Sequence, residues 1–153
     1  TLLGSQPQDR VREILQASDA VVLPSVVTPG GMMDGIPVAL MEAMAAGVPV
    51  VSTRVSGIPE LIRDRRTGLL APQKDAAALA EALERLRRDP DLASRLGASG
   101  RAHVLQRFNL LESAARLRSH LLAAAEGRAP PLVGRGDHAA PAPAPRPAAT
   151  APS

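Results

Sequence analysis

Two carboxylates eight positions apart, Asp34 and Glu42, are the side chains of this sequence best placed to do chemistry. Between them runs Gly35-Ile36-Pro37, and Glu42 falls inside a strongly apolar stretch with Leu40, Met41, Ala43 and Met44 around it. An unpaired buried acid is expensive, so Glu42 calls for a polar partner. Ligand hydroxyls held near a helix N-terminus would serve, each charge-assisted hydrogen bond contributing roughly 1.5–3 kcal/mol. Free backbone N–H groups in Gly35 to Val38, at the start of the helix, would present donors and the positive dipole end to an anion such as a phosphate. Glu42 lies about 1.5 turns further on, roughly 7 Å at the helical rise per residue. That separation suits a nucleotide diphosphate and its ribose.

Other candidates carry less chemistry. Taken alone, Asp34 reads equally well as a turn residue ahead of a helix. Gly30 and Gly31 are read as loop glycines that supply positive φ. Glu60 follows Pro59 in the first turn of a short helix, where a negative charge is favoured for structural reasons. His103, His120 and His138 are scattered without metal-ligand spacing and are read as structural or solvated.

The elements that must position these residues follow from periodicity and turn chemistry. Pro7 to Ser18 reads as a helix with Val11, Ile14 and Leu15 on one face. Asp19 to Ser25 reads as a strand. Pro37 suits the first turn of the next helix, and Gly47 the residue just past its end. Val48 to Ser52 is a second, buried strand. Strand, glycine-bearing loop, helix and strand make a βαβ unit of a parallel sheet, in which ligands bind outside the carboxyl ends of the strands. A short helix over Ile58 to Ile62 and an extended segment over Gly68 to Ala71 come next. Lys74 to Arg88 is an amphipathic helix with Leu79, Leu83 and Leu86 inward. Pro90 opens a helix to about Gln106, and Asn109 caps a last one reaching about Ala125. No internal repeat is found. The fold class expected is α/β, a Rossmann-like parallel sheet with C-terminal helices.

Composition bounds the reading. The chain has 153 residues, 45% of them hydrophobic, enough for one modest core. It has no cysteine, which excludes a disulfide scaffold and a cysteine metal site. Neither a secretory signal nor an apolar run of about 20 residues is seen, so a cytoplasmic location is expected. Phe108 is the sole aromatic, which argues against base-stacking recognition of nucleic acid. The net charge is a small +3. The clusters Arg63/Arg65/Arg66 and Arg85/Arg87/Arg88 are read as solvated helix faces, with peripheral contact to an anionic membrane surface as the other option. Residues 1–126 are expected to form the folded domain. Residues 127–153, rich in Pro, Ala, Gly and Arg, are expected to be a disordered tail.

At these residues the chain resembles a known family. Asp34-x7-Glu42, followed by Ala-Met-Ala-Ala-Gly-Val-Pro-Val-Val, is similar to the Glu-x7-Glu donor motif of the retaining glycosyltransferases of family 4, which have the GT-B fold. The segments Leu3-Gly4, Ala17 to Ser25, Ser56-Gly-Ile-Pro-Glu-Leu-Ile62 and Thr67-Gly-Leu-Leu-Ala-Pro72 match that family in order and spacing. The resemblance covers about residues 2 to 120 and identifies the chain as the C-terminal, donor-binding part of such an enzyme.

The resemblance implies roles. Glu42 would hydrogen-bond the ribose hydroxyls of a nucleotide diphosphate sugar, and Asp34 the hydroxyls of the transferred sugar. Amides within Gly35, Ile36, Pro37 and Val38 would hold the diphosphate and donor sugar. The loop at Gly4 and Ser5 would lie against the base. The first acid is commonly Glu in the family. Asp34 is one methylene shorter, so its sugar contact requires a backbone shift or a water, or is lost. The implied reaction moves a hexose to a glycan or lipid-linked acceptor, with no metal and no other cofactor. The family's basic residues that neutralise the diphosphate would precede Thr1, as would an N-terminal acceptor domain, so residues 1–153 alone are expected to be inactive. Two other readings stand beside this one. One is a non-catalytic nucleotide-sugar-binding or scaffold module. The other is a GT-B epimerase or phosphorylase, although Lys74, the one lysine, lies remote from the motif. The arginine- and alanine-rich composition fits a GC-rich bacterial source.

Overall fold

The computed structural model describes residues 1–28 and 35–128. Asp34, Gly30, Gly31 and His138 lie outside the described residues, as does the expected tail beyond Arg128.

The elements run α1 (Gln8–Gln16), β1 (Val21–Leu23), α2 (Val38–Ala45), β2 (Val50–Thr53), α3 (Ile58–Leu61), β3 (Leu69–Ala71), α4 (Ala76–Arg88), α5 (Pro90–Arg107) and α6 (Leu110–Ala125). The three strands form one parallel sheet in the order β1-β2-β3. Val21 pairs with Val50 in register, and Val51 with Leu69. The α/β fold expected from the βαβ reading is therefore present.

β2 is the centre of the molecule and is buried along its whole length. Alternating side chains of a strand point to opposite faces, so Val50 and Val51 serve two cores. Val50 packs with Leu40, Ala43 and Met44 of α2 and with Ile58 and Leu61 of α3. Val51 packs with Leu69, Leu86 of α4, and Leu92 and Leu96 of α5. Burying each such side chain contributes about 1.5–3 kcal/mol. α5 joins the two cores, because Val104 near its end belongs to the first.

The ends of α2 follow from its flanking residues. Pro37 is the N-cap and not part of the first turn: its ψ is 126°, extended, while its φ of −65° is the ring's own value. Its carbonyl accepts from the N–H groups of Leu40 (3.2 Å) and Met41 (3.4 Å). Gly47 closes the helix with φ +82°. Its N–H donates to the Met44 carbonyl, and that of Val48 to the Ala43 carbonyl, the paired bonds that satisfy a helix C-terminus.

Several expectations are corrected. Lys74 has φ +61° and stands outside α4, which Asp75 caps by accepting from the Ala78 N–H. On α4, Leu86 is buried and Leu79 half-buried, but Leu83 remains 37% exposed. Arg63, Arg65 and Arg66 are solvated in the turn between α3 and β3, not on a helix face, because α3 stops at Leu61. Gly127 (φ +64°) and Arg128 close α6, the Arg128 N–H donating to the Ala123 carbonyl. Among the described residues, no helix is long and apolar enough to cross a membrane.

Candidate functional site

The parallel sheet aims the carboxyl ends of β1, β2 and β3 in one direction, and α2 starts on that side after the loop from β1. The first turn of α2 has no side-chain cap. Leu40 and Met41 donate to Pro37, whereas the N–H groups of Val38 and Ala39 have no acceptor within the helix. Both residues are exposed, so these donors and the dipole end face outward.

Glu42 lies one turn further along, half-buried. Among the described residues its carboxylate forms neither an ion pair nor a side-chain hydrogen bond. It lines a cleft of about 340 Å³ with Gln8, Val11, Arg12, Leu15 and Gln16 of α1, Ala45 and Ala46 at the end of α2, and Arg101 of α5. That volume lies within the range of small-molecule sites. The alanines leave room beside the acid, Val11 and Leu15 supply an apolar wall, and two guanidinium groups bring positive charge. Such a cleft can take a polyhydroxyl group on the carboxylate and an anionic group near the arginines.

The remaining candidates are distributed around this core. Gly35 and Val38 are exposed, and Ile36 and Pro37 half-buried, at the α2 entry. Gly57, ahead of α3, is packed against them: a Cβ there would come within 2.8 Å of Ile36 Cγ1. Gly4 (φ +65°) and Ser5 are exposed ahead of α1 and are not part of the cleft wall around Glu42. Among the described residues, no group of His, Cys, Asp or Glu side chains could hold a metal ion.

Against this geometry, the family model of the glycosyl transferases group 1 matches residues 1–103. The chain belongs to the group 1 glycosyl transferases. The amylovoran biosynthesis glycosyltransferase AmsK of Erwinia amylovora is 47% identical over 108 residues, which cover 71% of this chain and 26% of AmsK. The alpha-maltose-1-phosphate synthase of Mycolicibacterium smegmatis is 41% identical over 67% of this chain and 27% of its own length. This group 1 chain thus spans about a quarter of the curated relatives it matches. Among solved structures, sucrose-phosphate synthase from Thermosynechococcus elongatus superposes with TM-score 0.69 at 33% identity, over 81% of this chain and 30% of that one. HepE from Anabaena, solved in complex with UDP-glucose, shares the fold at 22% identity with TM-score 0.66, over 74% of this chain and 30% of HepE.

Sequence reasoning missed several groups in this glycosyl transferase domain. Arg101 is 59 positions beyond Glu42 in the chain, and only the crossing of α5 over α2 brings it there; no local pattern marks it. Arg12 and Gln8 read as the polar face of an amphipathic helix. His103, expected to be structural or solvated, is buried and structural, with Nε2 lacking a partner among the described residues and its ring edge-on to Phe108. Burial first, then the neighbouring Arg63 and Arg107, hold its pKa below the ordinary histidine value. The Glu60 backbone of α3 acts on the ring in the opposite and weaker sense, favouring its protonated form.

Proposed function

We propose that this chain is the nucleotide-sugar-binding part of a retaining glycosyltransferase that moves a hexose to a glycan or lipid-linked acceptor. The observation that carries the reading is Glu42: a half-buried carboxylate, unpaired among the described residues, on the wall of a ligand-sized cleft one turn from open helix amides. In this reading Glu42 accepts hydrogen bonds from the ribose hydroxyls. The amides of Gly35, Ile36 and Val38 hold the diphosphate, and Asp34 faces the transferred sugar. Gly4 and Ser5 lie against the base. Negative charge developing on the leaving diphosphate meets the α2 dipole, with no metal ion called on. The UDP-glucose complex of HepE, which shares this fold, supports a nucleotide-sugar donor.

Glu42→Ala tests the reading. Loss of two charge-assisted hydrogen bonds at roughly 1.5–3 kcal/mol each predicts a fall in UDP or GDP affinity of about a hundredfold or more. Titration calorimetry on the full-length protein, with and without a chelator, reads it. Unchanged nucleotide affinity in the variant overturns the role of Glu42, and loss of wild-type binding on chelation overturns the metal-free reading.

A further inference from the structure

The turn from β2 to α3 carries its glycine where the backbone does not ask for one. Ser56 has φ +49°, in the left-handed region, and is not glycine. Gly57, the next residue, has φ −76° and ψ −1°, values open to any L-residue. What requires glycine at 57 is the neighbour across the turn. A Cβ there would stand 2.8 Å from Ile36 Cγ1, and 3.5 Å from both Gly35 C and Ile36 N. The peptide joining Gly35 to Ile36 thus lies against the bare face of Gly57. The two sides of this contact are held with different firmness. On the Gly57 side, the Ile58 N–H donates to the Val55 carbonyl at 3.1 Å, and the Gly57 carbonyl accepts from the Glu60 N–H at 3.0 Å. Val55, Ile58 and Leu61 anchor that turn in the first core. On the other side, Gly35 and Ile36 make no backbone hydrogen bond among the described residues, and Ile36 meets the core only through its side chain. Ile36 is β-branched and stiff at χ1, so a push on Cγ1 passes to its own backbone.

We propose that Gly57 is a positioning residue for the diphosphate of the donor. The β2–α3 turn is the support on which the Gly35–Ile36 peptide rests. The missing side chain at Gly57 sets how deep that peptide lies, and so where its N–H meets a phosphate oxygen. The inference rests on the donor-binding reading above. Its consequence is a split. Displacing the peptide weakens binding of a nucleoside diphosphate but not of the nucleoside, because the ribose contact at Glu42 is carried inside α2.

The test compares the wild-type full-length protein with Gly57→Ala, Ile36→Ala and the double variant. Calorimetry is run with UDP and GDP, and with uridine and guanosine by displacement of the diphosphate. Gly57→Ala is expected to weaken the diphosphate about tenfold, the lower end for one hydrogen bond to a charged group, and the nucleoside by less than about twofold. In the Ile36→Ala background the added methyl meets the space that Cγ1 has left, so the same step should cost less than about twofold. Ile36→Ala adds no bulk, and by taking the peptide off its support it should by itself lower the ratio of diphosphate to nucleoside affinity. Equal weakening of diphosphate and nucleoside by Gly57→Ala overturns the proposal, as does an equal cost of that step in both backgrounds. If Gly57→Ala does not fold, Ile36→Ala decides, and an unchanged affinity ratio there overturns the proposal. A wild-type protein that binds neither diphosphate, or binds it no more tightly than the nucleoside, overturns the donor-binding reading and this proposal with it. A wild-type preference for the diphosphate that persists in every variant removes this proposal alone.

Discussion

Glu42 and His103 are both polar groups set in apolar surroundings, and their opposite solutions define the chemistry at the residue scale. Glu42 opens onto a cleft, where a ligand can satisfy it. His103 is enclosed by α3, α5 and Phe108, and burial there disfavours its charged form. A histidine whose native pKa is depressed takes up its proton more readily in the unfolded chain. Stability is therefore full above the ordinary value of 6.5 and falls as pH drops through it toward the lowered native value. The expected slope from this group is at most about 1.4 kcal/mol per pH unit. Urea unfolding between pH 7.5 and pH 5 (values chosen to bracket 6.5) should show it, and His103→Gln should remove that part of the slope. An unaltered slope in the variant would show that other groups carry the acid sensitivity.

At the element scale, the decisive contact is α5 on the end of α2. Gly97 meets Gly47 so closely that a Cβ at position 97 would stand 2.2 Å from the Gly47 carbonyl oxygen. The oxygen belongs to backbone already fixed by the closing turn of α2, so it cannot swing aside. Gly97→Ala should therefore cost about 1–3 kcal/mol or more, the range for overpacking. Because this crossing also carries Arg101 to the cleft, nucleotide affinity should fall with stability in Gly97→Ala. Thermal unfolding and calorimetry on the same sample check both. An unchanged melting temperature would mean that the helices separate freely.

At the scale of the whole molecule, the two cores on either side of β2 exclude one element. α6 buries only Ala123, while Leu110, Leu111, Leu117, Leu121 and Leu122 are exposed by half or more. Its amides should exchange by local opening, well ahead of those of β2 and of α5 from Leu92 to Val104, which wait for global unfolding. Hydrogen exchange followed by mass spectrometry would reveal equal protection if this ordering were wrong.

Much of the fold was legible because local signals agreed with the tertiary outcome. Pro90, Asn109 and Gly47 punctuate helices where their backbone chemistry says they should, and the apolar run Val48 to Val51 could only be a buried strand. Errors fell where the local signal was permissive. Lys74 reads as a helix former yet takes positive φ to let Asp75 cap, and Leu83 keeps the helical period without a partner to bury it. The site divides in the same way. Asp34-x7-Glu42 and the α2 entry are contiguous, so they were legible together as candidates, and the family resemblance is what implied their pairing. The cleft wall from α1 and α5, the contact of Gly57 with Ile36 and the orphaned His103 nitrogen each join residues from separate parts of the chain. Hydrogen bonds and packing act over a few ångströms in space, whatever the distance along the chain. The sequence by itself determined most of the elements and marked Glu42 as an acid in need of a polar partner; only the tertiary structure decided which distant side chains share its cleft.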